Sequence, residues 1–161
     1  MTLNAQYDAA IIGGGLSGMT MALLLGQNGL RVICLDFVDP AATLKAGYDG
    51  RTTAISYGSR QLLQAAGLWD VLAPNACPIR SIQILDGADS PLYLNFDSSE
   101  VGDRSFGWIA ENLEIRKALI RALANCNNVT HHAPATVTAL AADDDGVTIE
   151  TAAGDIIKAA L

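Results

Sequence analysis

The stretch that decides the fold is YDAAIIGGGLSGMTMALLLGQNGLRVICLD, Tyr7 to Asp36. Ala9, Ala10, Ile11 and Ile12 form a continuous apolar run, as in a parallel strand buried on both faces. A strand is therefore predicted over Tyr7 to Ile12, with Gly13-Gly14-Gly15 as the turn that follows. Leu16 to Gln27 is rich in Leu, Met and Ala and reads as a helix closed by Asn28-Gly29. Arg31 to Leu35 reads as a second strand, and Asp36 ends it. The connection between the strands suits a right-handed βαβ crossover.

Gly13, Gly15 and Gly18 have GxGxxG spacing. In such a unit the first glycine permits the tight turn, and the second lets backbone approach a pyrophosphate. The third lets helix and strand pack closely. The helix N-terminus adds unpaired N–H groups and a partial positive charge for the phosphates. Gly13, Gly14, Gly15, Leu16, Ser17 and Gly18 are thus candidate cofactor-binding residues. Asp36 stands roughly 20 residues further on, where an acid can accept both hydroxyls of a ribose. A lone GxGxxG is weak, but here strand, turn, helix, second strand and terminal acid agree. The acid disfavours a 2′-phosphate, so NADP is not expected in this site. The motif by itself does not separate FAD from NAD.

Ala9 to Leu30 carries no charge, and Gly14 and Gly18 have the spacing of packed membrane helices. A span is rejected because three consecutive glycines weaken a helix badly, and Ser17, Thr20, Gln27 and Asn28 lower the hydrophobicity. The chain has 161 residues, half of them apolar and 17% charged, as expected of one folded domain. A net charge of −7 without a Lys/Arg cluster argues against nucleic acid as a partner. The first basic residue is Arg31, so no charged leader of a secretory signal is visible. Cys34, Cys77 and Cys126 are odd in number and far apart, as in a reduced cytoplasmic protein. His131 and His132 on a strand would face opposite ways, so no metal site is expected.

Phe37 to Gly50 is predicted as a surface loop punctuated by Pro40, Gly47 and Gly50. Ser56 caps a helix running to Ala66, with Gly67 as its stop; Leu68 to Leu72 adds a short helical turn. From Ile79 to Ile109, Ile79, Ile82, Ile84, Leu92, Leu94 and Phe96 partly alternate with polar residues. Turns fall at Asp86-Gly87 and from Ser98 to Asp103, so antiparallel strands are expected there. Asn112 to Cys126 reads as an amphipathic helix with Leu113, Ile115, Leu119, Ile120 and Leu123 on one stripe. Val129 to His131 is a short strand. Ala135 to Ala141 and Val147 to Thr151 form a hairpin around Asp143 to Gly146, and Ile156 to Leu161 starts another strand. The fold class is α/β: a Rossmann-like βαβ unit with inserted antiparallel β-strands.

Three segments resemble the flavin-dependent aromatic hydroxylases, in particular the ubiquinone-biosynthesis hydroxylases. They are GGGLSGMTMALLLGQNGLRVICLD, DGRTTAISYGSRQLLQAAGLWD and GWIAENLEIRKALIRAL. The resemblance runs from about Tyr7 to the last residue and implies FAD as cofactor, reduced by NAD(P)H. It implies O₂ as oxidant and a small aromatic, quinone-precursor substrate. It places Arg51 near the pyrophosphate and Thr52, Thr53 and Ala54 along the flavin side. Glu111 matches a contact to the ribityl region, where many relatives carry glutamine. Arg116 matches a residue near the phosphates, and Val137 a strand position whose backbone meets the adenine. It also implies that residues 1–161 are the N-terminal part of a truncated FAD-binding domain, with approximately 79–109 belonging to the substrate side. No catalytic residue is assigned. Peripheral membrane contact is in keeping with a lipid-quinone substrate, although no amphipathic anchor is visible. An inactive nucleotide-binding fragment and an NAD-dependent dehydrogenase domain are the alternatives.

Overall fold

The computed structural model describes residues 6–87, 93–102 and 104–161. The opening segment is a bent strand, β1 (Gln6–Tyr7) and β2 (Ala9–Ile12), followed by α1 (Leu16–Gln27) and β3 (Val32–Leu35). β2 and β3 are parallel, with Ala9 beside Val32 and Ile12 beside Leu35. The uncharged stretch is therefore a strand, a turn and a 12-residue helix, as the triple glycine requires. No described helix is long and apolar enough to cross a membrane. The bend falls at Asp8, whose carboxylate accepts from the Arg31 backbone at 2.7 Å and pairs with its guanidinium.

Residues 37–50 depart from the expected loop. α2 (Pro40–Lys45) forms because the Asp39 carboxylate caps the Ala41 N–H at 2.8 Å and Pro40 occupies the first turn. After β4 (Thr52–Ser56) come α3 (Tyr57–Ala65) and the short α4 (Trp69–Leu72), with Ser56 capping α3 as expected. A 3₁₀ turn at Ala73–Asn75 then leads into β5 (Cys77–Ile79), β6 (Ser81–Leu85) and β7 (Tyr93–Asp97). β8 (Gly107–Glu111) lies between β4 and β5, antiparallel to both, while β6 and β7 make a separate two-stranded ribbon. The expected antiparallel strands are thus present; Leu92 and Asp103 lie outside the described residues.

α5 (Asn112–Ala124) and β9 (Val129–His132) follow, β9 parallel to β3. β10 (Val137–Asp143) and β11 (Gly146–Thr151) form the hairpin, two residues later at its start than the sequence suggests. β12 (Ile156–Ala159) pairs with β11 and, in parallel, with β1.

Two cores meet on β3. Val32 and Cys34 face a core built with α1, α3, α4 and α5; Ile33 and Leu35 face Tyr7, Ile149 and Ile157 from the other sheet. All four are buried, which explains the unbroken apolar run. On α5, Leu113, Ile115, Leu119, Ile120 and Leu123 are buried as the stripe predicts. Each such side chain contributes about 1.5–3 kcal/mol by leaving water. This two-sided burial fixes the carboxyl ends of β2 and β3, and the glycine turn and Asp36 sit at those ends.

Candidate functional site

The glycine turn is shaped by contacts that tolerate no side chain. Gly13 has φ +110°, and its N–H donates to the Leu35 carbonyl at 2.8 Å. A β-carbon on Gly18 would run into the Gly13 carbonyl oxygen, and one on Gly14 would stand 2.6 Å from the Asp36 side chain. Gly15 differs: a β-carbon there would meet nothing within 4 Å. Gly15 is the N-cap of α1 and offers no side chain to its first turn, which also holds no acid. The first amides of α1 therefore point, without a side-chain partner, toward open space above Gly15.

Asp36 is buried, with 7% of its surface exposed. Among the described residues its carboxylate holds two weak partners: the Val38 N–H at 3.4 Å and an Arg116 guanidinium nitrogen at 3.6 Å. A carboxylate has about four lone-pair sites, so most of its acceptor capacity is unused. Arg116 Nε is also sealed from solvent without a partner. Glu114, two residues before Arg116, pairs with Lys117 instead.

Two clefts flank the turn. One, of about 410 Å³, is lined by Ile12, Gly13, Asp36, Phe37, Thr136 and Val137, among others. It joins the glycine turn to the acid and to Val137 at the start of β10. The sequence reading missed Phe37, Ala135 and Thr136 here; Phe37 is 74% exposed, and that exposure has no signature in sequence. The Ala135 N–H donates to the Asp36 carbonyl at 2.6 Å, holding this wall to the end of β3. The second cleft, of about 490 Å³, brings Leu16 and Ser17 together with Thr53, Ala54 and Ile115. The Thr53 hydroxyl hydrogen-bonds the Asn112 side chain, and the Asn112 N–H donates to the Arg51 carbonyl at 3.1 Å. These bonds tie β4 to the start of α5.

Three sequence candidates lie apart; one is Thr52, which is exposed and lines neither cleft. Arg51 is exposed and paired with Asp49 at 2.6 Å, and it lines neither cleft. Glu111 opens onto a third cleft with Glu114 and Arg121, although its backbone registers with Thr52. Beneath Asp36, burial and the nearby carboxylate push the Cys34 thiol up to about 11, so it stays uncharged near neutrality.

The residues present fit a dinucleotide. A side-chain-free turn and uncapped amides suit a diphosphate, a sheltered carboxylate with spare acceptor sites suits a ribose diol, and clefts lie on both sides. Fold and site define a dinucleotide-binding α/β domain. The chain belongs to the FAD-binding domain family, whose profile matches residues 6–155, and FAD is its cofactor. That decides between FAD and NAD, which the motif left open. The chain is 40% identical over 154 residues to the ubiquinone hydroxylase UbiL of Rhodospirillum rubrum, covering 96% of this chain and 35% of the relative. It is 32% identical over 160 residues to the 3-demethoxyubiquinol 3-hydroxylase of Escherichia coli, covering 98% and 40%. The chain thus spans about a third to two-fifths of the length of these relatives. Its fold matches p-nitrophenol 4-monooxygenase PnpA from Pseudomonas putida with a TM-score of 0.75 at 22% identity, over 99% of this chain and 40% of that one.

Proposed function

We propose that this chain is the FAD-holding portion of a monooxygenase that hydroxylates an aromatic precursor of a polyprenyl quinone, using NAD(P)H and O₂. The observation that carries the reading is the combination of the Gly13–Gly18 turn with a buried, underused Asp36. The substrate class comes from the two curated relatives, which are named a ubiquinone hydroxylase and a 3-demethoxyubiquinol 3-hydroxylase.

When bound, FAD would supply the redox chemistry that passes an oxygen atom from O₂ to the ring. The chain's own residues do the holding. Gly13, Gly14 and Gly15 give the diphosphate access to backbone, and the amides of Leu16, Ser17 and Gly18 meet its charge. Asp36 would accept the ribose hydroxyls, and Arg116, 3.6 Å from that carboxylate, would stand near the phosphates. Val137 borders the adenine end. Thr52, Thr53 and Ala54 would flank the flavin end, with Glu111 turned from its own cleft to the ribityl chain and Arg51 released from Asp49 to reach the diphosphate. Approximately residues 79–109 belong to the substrate side, and the exposed apolar residues of the β6–β7 ribbon support this. Ile82, Ile84, Leu94 and Phe96 form two cross-strand pairs on one face and are all exposed. Lipid-quinone chemistry also favours work at a membrane surface by a protein of the cytoplasm.

A chimera in which this chain replaces the matching segment of the Rhodospirillum relative tests the proposal. It should purify with flavin absorbance and hydroxylate a polyprenyl phenol at the expense of NAD(P)H. A folded chimera that carries no flavin, or that carries flavin and hydroxylates no such phenol, contradicts it.

A further inference from the structure

His131 lies on β9 directly beside Cys34 of β3. Asp36 stands two residues beyond Cys34 and therefore faces the same way, toward the side that α5 covers and from which Arg116 reaches it. His131 and Asp36 are thus diagonal neighbours across a strand pair. The adjacent His132 faces the opposite side, where it pairs with Asp155 at 3.2 Å.

The His131 ring has one nitrogen, Nε2, sealed from solvent and without a hydrogen-bond partner among the described residues. The packed elements offer it few charges. α1 carries no titratable residue. On α5, Arg116 is committed to Asp36, Lys117 pairs with Glu114, and Arg121 lines a separate cleft. β3 brings Cys34, uncharged near neutrality, and Asp36. Asp36 is the acid that these elements bring to the imidazole.

A neutral ring suits this place, since a bare ring nitrogen loses little by lacking a donor. A protonated ring does not: a sealed, charged N–H without an acceptor carries the full cost of desolvation. The carboxylate of Asp36 is the acceptor at hand. We propose that His131 is a positioning residue for the Asp36 grip on the ribose: neutral, it leaves the carboxylate to the cleft; protonated, it draws the carboxylate inward and loosens the sugar. This rests on the reading of Asp36 as the ribose acceptor. Burial lowers the imidazole from its ordinary value while the Asp36 charge pulls the other way, so the change falls on the acid side of neutrality. A cation near the site would also attract the diphosphate. Here, however, the charge that acts on the imidazole is that of Asp36, and the carboxylate takes up the new charge first.

The test is the affinity of the 161-residue chain for FAD between about pH 5 and pH 8, where the flavin and phosphates of FAD keep their charge. Affinity should be level at the upper end and three- to tenfold weaker, roughly, at the lower end, and His131→Gln should remove the step. Reciprocity requires that saturating FAD lower the titration midpoint of His131, read by NMR on the unaltered chain. This second readout does not depend on how the variant folds. A pH-independent affinity, or a His131 midpoint that FAD leaves unmoved, overturns the inference and leaves the cofactor site standing. A chain that takes up no FAD at any pH overturns both.

Discussion

Arg116 on α5 and Asp36 at the end of β3 approach to 3.6 Å, with the carboxylate 7% exposed and the guanidinium side chain 23% exposed. They are 80 positions apart in sequence, and the two-sided burial of β3 brings them together. At that distance they pair without forming a short hydrogen bond. Both keep bonding capacity in reserve, as expected of groups waiting for a ligand.

Replacing Asp36 with Asn keeps the shape and removes the charged acceptor. Hydrogen bonds to charged groups are worth about 1.5–3 kcal/mol, so FAD affinity should fall roughly 10- to 100-fold. Calorimetric titration of the variant checks this. Affinity unchanged within a factor of two would show that the sugar lies elsewhere.

The glycines separate stability from binding. Gly18→Ala forces a β-carbon onto the Gly13 carbonyl and should cost about 1–3 kcal/mol of stability, as overpacking does. Gly15→Ala meets open space, so the melting temperature should hold while FAD binding drops at least tenfold. Thermal melts with and without FAD distinguish the two, and equal losses in both assays would contradict the assignment.

How much of this was legible in the sequence differs by region. The βαβ unit was, because β3 is buried on both faces and the triple glycine marks the turn into α1; β2 is less buried than its apolar run predicts, with Ile12 50% exposed. α5 was legible through its stripe. α2 was not: its signal is a single capping Asp39-Pro40 pair, short enough to pass for a loop. β4 was also missed, since Ile55 is its one buried residue and the strand lacks an alternating pattern. Gly13 to Gly18 and Asp36 were readable as a site because their spacing is local. Ala135 and Thr136 were not, since they reach the cleft through the pairing of β9 with β3, and Phe37 was not, since its exposure has no signature in sequence. Arg51 was placed by resemblance, and in the structure it is held by its near neighbour Asp49.

Arg60 on α3 lies 5.3 Å from the Trp69 ring and 5.5 Å from the Trp108 ring, and the two rings meet edge-on at 5.2 Å. Its Nε is sealed without a hydrogen-bond partner, so the aromatic faces are what stabilise it. Cation–π contacts of this kind are worth about 0.5–2 kcal/mol each. Arg60→Ala should lower stability by roughly 1–3 kcal/mol and alter tryptophan emission, while Arg60→Lys should recover part of both. Urea denaturation followed by fluorescence measures it.

Thiol chemistry should sort by burial. Cys77 is exposed and Cys34 is buried with its thiol pushed up to about 11 from 9.0. A thiol reagent at about pH 8 should label Cys77 and spare Cys34 until the chain unfolds. Because the folded value lies above the unfolded one, the native state binds the extra proton. Stability therefore declines as pH rises from 9.0 toward 11. A Cys34→Ala variant that declines just as steeply there would assign the effect to other groups.

The most direct test of the account is equilibrium titration of the purified chain with FAD, followed by quenching of flavin fluorescence, with NAD⁺ and FMN as comparisons. The account expects saturable binding of FAD with one site per chain, much weaker binding of FMN, which lacks the adenosine that Asp36 would hold, and FAD binding weakened roughly 10- to 100-fold in Asp36→Asn. Binding of NAD⁺ in preference to FAD, or equal binding of FAD by the native chain and Asp36→Asn, would contradict it.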